Sequence, residues 1–266
     1  MLKRTTLIAG LVLSAIGFSN ASVKALNHTG NLFVIEYFGG NIAEITPNGT
    51  KSTFASGLSY PEGLAFDSSG NLFVSGYFGG SITEITPNGT KSTFASGLGN
   101  PEGLAFDSSG NLFVGEAGAG SITEITPNGT KSTFASGLSS PFGLAFDSSG
   151  NLFVSDYGAG SITEITPNGT KSTFASGLSS PFGLAFDSSG NLFVGNEASG
   201  SITEITPNGT KSTFASGVGY PQGLAFDGQT ASTNVPFGFS PEQGFMLGIP
   251  LFLGLRHLKK RRNKAS

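Results

Sequence analysis

Two sets of side chains recur in this sequence at a spacing of 40 residues, and both contain residue types that do chemistry. The first set is Glu62, Glu102, Phe142, Phe182 and Gln222. The second is Glu36, Glu116, Asp156 and Asn196, with Tyr37, Tyr77, Tyr157 and Glu197 one place further along the chain. Carboxylates and carboxamides supply the oxygen ligands that a hard divalent cation requires. Interleaved with aromatic rings, they also suit a pocket for a sugar, a peptide or another small polar ligand. A third reading is a plain solvated surface. Proton-transfer chemistry is poorly supplied, because only His28 and His257 are present. The chain has no cysteine, so it has no thiolate nucleophile, no disulfide and no cysteine-based zinc site. No nucleophile motif, phosphate-binding glycine loop or paired-histidine metal site appears either.

The elements that must position these groups are written in the repeat itself. The stretch "GLAFDSSGNLFV" stands at 63–74 and recurs unchanged at 103–114, 143–154 and 183–194. A period in this range marks stacked supersecondary units. Each unit reads as four short strands: "GLAFD" (63–67), "NLFV" (71–74), "SITEIT" (81–86) and "KSTFASG" (91–97). Asp67-Ser68-Ser69-Gly70 suits a type I turn closed by a left-handed glycine. Pro47-Asn48-Gly49-Thr50, repeated through the chain, reads as a two-residue hairpin with positive φ at both Asn and Gly. That register sets Thr46 opposite Lys51 and makes the recurring Glu44/Lys51 pair a cross-strand contact of about a few tenths of a kcal/mol. The Asn-Gly-Thr triplets are also formal glycosylation sequons, for which the turn is a sufficient explanation.

Four antiparallel strands per unit, apolar on both faces and repeated radially, predict an all-β propeller of four-stranded blades. The chain enters at a second strand and leaves after a first strand. Pairing Leu224–Asp227 with Leu32–Val34 would therefore complete five blades by a one-plus-three closure, giving a monomer. The alternative is an open or oligomeric stack with an exposed edge. The absence of tryptophan excludes the tryptophan-aspartate repeat. The unit Pro61-x-Gly63-Leu64-Ala65-Phe66-Asp67-x-x-Gly70-Asn71-Leu72-Phe73-Val74, with Ile82 and Ile85 following, resembles the NHL repeat and the gluconolactonase-like and streptogramin-lyase-like propellers over residues 27–227. The lactonase resemblance implies a divalent-cation site on one rim, for which Glu62, Glu102, Asp156 and Asn196 are the candidates. The lyase resemblance implies histidine chemistry, which would fall on His28 alone.

Alternate turns of such blades lie on opposite sides of the disc. One side is nearly invariant among the copies. The other varies: "SYPE", "GNPE", "SSPF", "SSPF" and "GYPQ" enter strand one, and "IEYFGG", "SGYFGG", "GEAGAG", "SDYGAG" and "GNEASG" follow strand two. Loops on a rigid frame commonly carry function. The first set is thus expected to ring the central channel, and the second to stand just outside it. The leading expectation is a non-catalytic module that binds a small polar ligand, a glycan or a protein at this rim and needs no cofactor. The second is a metal-dependent lactonase-like hydrolase.

The ends read as addresses. Residues 1–25 have a basic start, an apolar run from Leu7 to Phe18 and small residues at Ser19/Ala21 or Val23/Ala25, as in a secretory signal peptide. Residues 26–229 form the propeller, with 16 acidic groups, five lysines and no arginine, a net charge of −11. Such a domain repels phosphate backbones, so nucleic acid is not an expected partner. Residues 230–266 place Phe245–Leu255 before the basic cluster Arg256 to Lys264. With Val235-Pro236-Phe237 and Ser240-Pro241-Glu242 upstream, this resembles a C-terminal sorting signal of the PEP-CTERM type. It implies membrane contact through this segment and an exported, periplasmic or surface location.

Overall fold

The computed structural model describes residues 21–26, 31–36, 39–46 and 48–224. The chain forms five four-stranded antiparallel sheets arranged as a propeller, each with its strands in sequential order from the axis outward. Blade 1 consists of β1 (Ala21–Leu26), β2 (Leu32–Glu36), β3 (Asn41–Ile45) and β4 (Lys51–Ala55). Blade 2 consists of β5 (Pro61–Phe66), β6 (Leu72–Gly76), β7 (Ser81–Ile85) and β8 (Lys91–Ser96). Blades 3, 4 and 5 repeat this pattern, with innermost strands at Pro101–Phe106, Pro141–Phe146 and Pro181–Phe186. Proline at the first position of each of these inner strands costs no interior ladder bond.

The core lies between blades. In β6 and its equivalents at least four consecutive residues are buried, because both faces of the second strand meet a neighbouring layer. The outermost strands are exposed over their first three residues. Each interface is centred on one ring. Phe113 packs edge-on against Phe134 of its own blade at 4.9 Å and against Phe146 of the next blade at 5.0 Å. Phe33, Phe73 and Phe153 repeat the arrangement. Lysines add a polar tether: Lys91 Nζ donates to Ser56 O at 2.6 Å, and Lys131 Nζ to Ser96 O at 2.5 Å, each across to the preceding blade. In blades 2 to 5 the inner strand has one glycine at which the next segment on the axis approaches closely, at positions 63, 103, 143 and 183. A Cβ on Gly103 would stand 1.9 Å from Phe142 O.

The Asp-Ser-Ser-Gly turn forms as expected. Asp107 Oδ1 accepts from the Ser109 and Asn111 amides at 2.8 Å, and Gly110 takes φ 83°. The Pro-Asn-Gly-Thr turn differs from the two-residue hairpin. Gly89 N–H donates to Thr86 O at 2.8 Å and Thr86 N–H to Thr90 O at 3.0 Å, and only the glycine has positive φ. This is a type I turn closed by a left-handed glycine, which proline favours by fixing φ at its second position. The register moves by one, so Ile45 rather than Thr46 faces Lys51 and Glu44 faces Ser52. The Glu44/Lys51 contact is therefore not made. Glu44 accepts from Asn31 Nδ2 at 2.5 Å, and Lys51 pairs with Glu36 at 2.5 Å.

The one-plus-three closure is also corrected. β1 pairs with β2, Leu26 opposite Leu32 and Val23 opposite Val34, so the edge expected to receive Leu224–Asp227 is filled from the N-terminal side. A short hairpin connection costs far less loop-closure entropy than returning the far end of the chain. Pro221–Leu224 instead follows the inner strand of blade 5, where a Cβ on Gly183 would stand 2.5 Å from Gln222 O. Residues 225–227 lie outside the described residues, as do 1–20 and 230–266, on which the leader and sorting-signal readings fall. β1 begins at Ala21, inside the span 1–25 read as leader. Among the described residues no helix is long and apolar enough to cross a membrane.

Phe113 sits at the centre of one interface and is 4% exposed. Phe113→Ala is expected to cost about 3–5 kcal/mol in urea-induced unfolding.

Candidate functional site

The variable rim is built from two loops per blade that meet through their backbones. Tyr77 N–H donates to Tyr60 O at 3.0 Å, Ala117 N–H to Asn100 O at 3.1 Å, Tyr157 N–H to Ser140 O at 3.0 Å and Glu197 N–H to Ser180 O at 3.0 Å. To aim those carbonyls, residues 60, 100, 140 and 180 adopt positive φ, as does Tyr220. Asn tolerates that conformation better than a bulky residue such as Tyr does.

The first set of residues comes together on the axis. Segments 62–64, 102–104, 142–144, 182–184 and 222–224 surround a single cavity, so Glu62, Glu102, Phe142, Phe182 and Gln222 share its wall. The wall has two characters. Phe142 and Phe182 stack at 4.8 Å with an interplanar angle of 13°, and Tyr157 meets Phe142 edge-on at 4.7 Å. Behind them Glu197 is clasped: its Oε2 accepts from Tyr157 OH at 3.0 Å and its Oε1 from Gln222 Nε2 at 2.9 Å. The other side carries Glu62 and Glu102, the latter only 6% exposed. The Tyr157 hydroxyl is held above its ordinary pKa of 10.0. A Ser180 hydrogen bond lowers it, but burial and the Glu197 carboxylate together outweigh that pull.

Tyr157 and Glu197 of the second set thus meet the first set, whereas Glu116, Asp156 and Asn196 do not. Glu116 Oε2 accepts from Gly99 N–H at 2.5 Å while its Oε1 accepts from the Thr123 hydroxyl. Asp156 Oδ1 accepts from Ser139 N–H at 2.6 Å. Asn196 Oδ1 accepts from Ser179 N–H at 3.4 Å, and its Nδ2 donates to Thr203 Oγ1 at 2.9 Å. All three side chains are buried, and each ties the loop between two blades to a second strand. Asp156 and Asn196 are therefore committed to the frame rather than joined to Glu62 and Glu102. Glu36 pairs with Lys51, and Tyr37 lies outside the described residues. Among the described residues no group of three or more His, Cys, Asp or Glu side chains gathers to hold a metal ion.

Three rim aromatics were not among the expected site residues. Tyr60, Phe78 and Tyr220 are 47%, 67% and 73% exposed. Their signal in the sequence is the variation of the loops themselves, since "SYPE", "GYPQ" and "SGYFGG" place aromatic residues where the middle copies have Asn, Ser, Gly or Ala.

Fold and site together define a β-propeller with one invariant and one specialised face. The chain belongs to the virginiamycin B lyase family, whose sequence profile matches residues 18–229. The virginiamycin B lyase of Staphylococcus aureus shares its fold at a TM-score of 0.64 and 18% identity, over 77% of this chain and 73% of that one. A catalytically inactive histidine-to-alanine variant of the same enzyme, bound to quinupristin, superposes at 0.64 with 17% identity, over 79% and 77%. A gluconolactonase from Xanthomonas campestris, important in secondary glucose metabolism, superposes at 0.70 with 18% identity, over 77% and 79%. These likenesses establish the fold. No curated protein matches the chain by sequence.

Asp156 has its carboxyl pushed above the ordinary value of 3.8, chiefly by burial, against the opposing pull of the Ser139 amide and the Lys171 charge. A raised folded-state pKa means that ionisation costs stability at neutral pH and that the cost fades as pH falls toward that ordinary value. Asp156→Asn can keep the Ser139 bond, as Asn196 does with Ser179 in the next blade. It is expected to be at least as stable as the wild type at pH 7 and to lose that advantage on acidification, as read by thermal unfolding across pH.

Proposed function

We propose that this protein is an exported propeller that binds a ligand at its variable rim without transforming it. The observation that carries this reading is the state of the groups that would have to react. Residues 31–224 contain no histidine, and Glu116, Asp156, Asn196 and Glu197 are each engaged by hydrogen bonds within the frame. A general acid or base must be within reach of substrate with a pKa suited to proton transfer. The aromatic residues and carboxylates at the channel mouth are suited to holding a polar ligand with an apolar face. The partner is thus a small polar molecule, a glycan or a protein segment, and the net charge of the domain argues against nucleic acid.

A second reading is a divalent-cation-dependent lactonase, favoured by the presence of Glu62 and Glu102 on one cavity wall. Its weakness is the ligand count. Asp156 and Asn196, the other two candidates, are turned to their own loops. Export through the leader and membrane contact through residues 230–266 belong to the same proposal.

Purified protein incubated with a streptogramin B and, separately, with a sugar lactone in the presence and absence of calcium is expected to leave both unchanged by mass spectrometry. Turnover of the lactone that depends on calcium and is lost in Glu62→Gln would establish the hydrolase instead. Of the two cleavage positions, the one after Ala21 leaves Ser22–Leu26 of β1 in the mature chain, whereas the one after Ala25 removes all but its last residue. The exported protein is therefore expected to begin at Ser22, which N-terminal sequencing reads directly.

A further inference from the structure

We propose that Tyr60, Tyr77 and Phe78 form a platform on which a neutral saccharide chain stacks. This assignment rests on the binding reading above and names the ligand class and its contact surface. The three rings are a built unit. Phe78 meets Tyr60 edge-on at 4.8 Å and 85°, and meets Tyr77 at 4.8 Å and 88°, which fixes the direction in which each face looks. Phe78 is 67% and Tyr60 47% exposed. The repeated phenylalanines, by contrast, pack between blades.

The blade does not need these rings. Of the positions equivalent to Phe78, Phe38 also carries the ring, whereas Gly118, Gly158 and Ala198 do not, and the blades of these last three keep the same strand register. Tyr60 occupies a conformation that disfavours it. Its φ is 47°, with its carbonyl accepting from the Tyr77 amide, whereas the matching position of the next blade is filled by Asn100, a residue better suited to positive φ, and those of the two blades after it by the smaller Ser140 and Ser180. A bulky residue kept in a strained and exposed position points to work that the frame itself does not require. Tyr220 repeats the choice, with φ 42° and 73% exposure.

The ligand class follows from the surface. A pyranose presents a face of C–H bonds that matches the negative face of an aromatic ring, while its hydroxyls remain available to polar acceptors. Glu62 stands two residues from Tyr60, and both it and Glu102 line the adjoining channel. With a net charge of −11 over residues 26–229, the domain repels uronates, sulfated glycans and phosphates. A chain of uncharged sugars satisfies both conditions.

The test uses calorimetric titration of the exported protein with a β-1,4-glucan hexasaccharide, a β-1,4-N-acetylglucosamine hexasaccharide, a polyuronate of similar length and an aromatic peptide. Binding of at least one neutral oligosaccharide, with no binding of the polyuronate, is expected. Phe78→Ala and Tyr60→Asn should each weaken it by about tenfold or more. Tyr60→Asn should at the same time raise the melting temperature, since Asn100 already holds the equivalent position. That pairing of higher stability with lost binding is a result that simple misfolding cannot produce. If a neutral oligosaccharide binds but neither variant changes its affinity, the platform is wrong while the binding role stands. Binding of the peptide or polyuronate alone overturns the saccharide assignment, and so does an absence of binding by every probe. Chemical conversion of any probe overturns the binding role itself.

Discussion

The structure depends on a phenylalanine held between two others. Phe113 touches Phe134 within its sheet and Phe146 in the next, and Phe33, Phe73 and Phe153 are placed alike. A sheet that is apolar on both faces leaves a large hydrophobic surface in water until a neighbour covers it. This contact converts one sheet into a template for its neighbour, and repeating it along the chain produces the disc. The edge-to-face geometry adds direction to an otherwise non-directional apolar contact.

With the interfaces fixed by identical residues, the blades leave little freedom elsewhere. Glycine at 63, 103, 143 and 183 admits the carbonyl of the following inner strand, and a side chain there would push the axis apart. Serine adds a bridge in alternate blades. Ser75 Oγ accepts from Gly63 N–H and donates to Glu102 O, both at 2.6 Å, and Ser155 does the same toward Gly143 and Phe182. The lysine tethers close the outer edge of the same interfaces. Most of the variation among blades is left to the loops of one rim.

On that rim the structure separates side chains that look alike as letters. Glu62 and Glu116 are both glutamates in variable loops, yet Glu62 lines the axial cavity while Glu116 caps the Gly99 amide and is buried. The difference is their place on the blade. A residue entering the innermost strand looks toward the axis, and one ending the second strand looks toward the gap between blades, where an unpaired amide must be satisfied. Family membership fixes the architecture and leaves the rim chemistry to this chain's own residues.

The four-stranded unit, the strand order of blades 2 to 5, the aspartate turn and the alternation of an invariant with a variable face follow from the sequence alone. They rest on local rules, namely apolar patterning, left-handed glycine and the cost of burying polar backbone, and these act within one repeat. The channel wall of Glu62, Glu102, Phe142, Phe182 and Gln222 was likewise legible, because a fixed period maps onto a fixed radius. What the tertiary structure alone decided are matters of competition between distant or equivalent options. Residues 21–26 fill the edge expected for Leu224–Asp227, and they reach it through a far shorter loop. The Pro-Asn-Gly turn takes the three-residue form, so the Glu44/Lys51 contact is lost and lysines reach across to the preceding blade. Asp156 and Asn196 face their own loops because nearby amides need acceptors more than the channel needs carboxylates, a preference visible only once the neighbouring blade is in place.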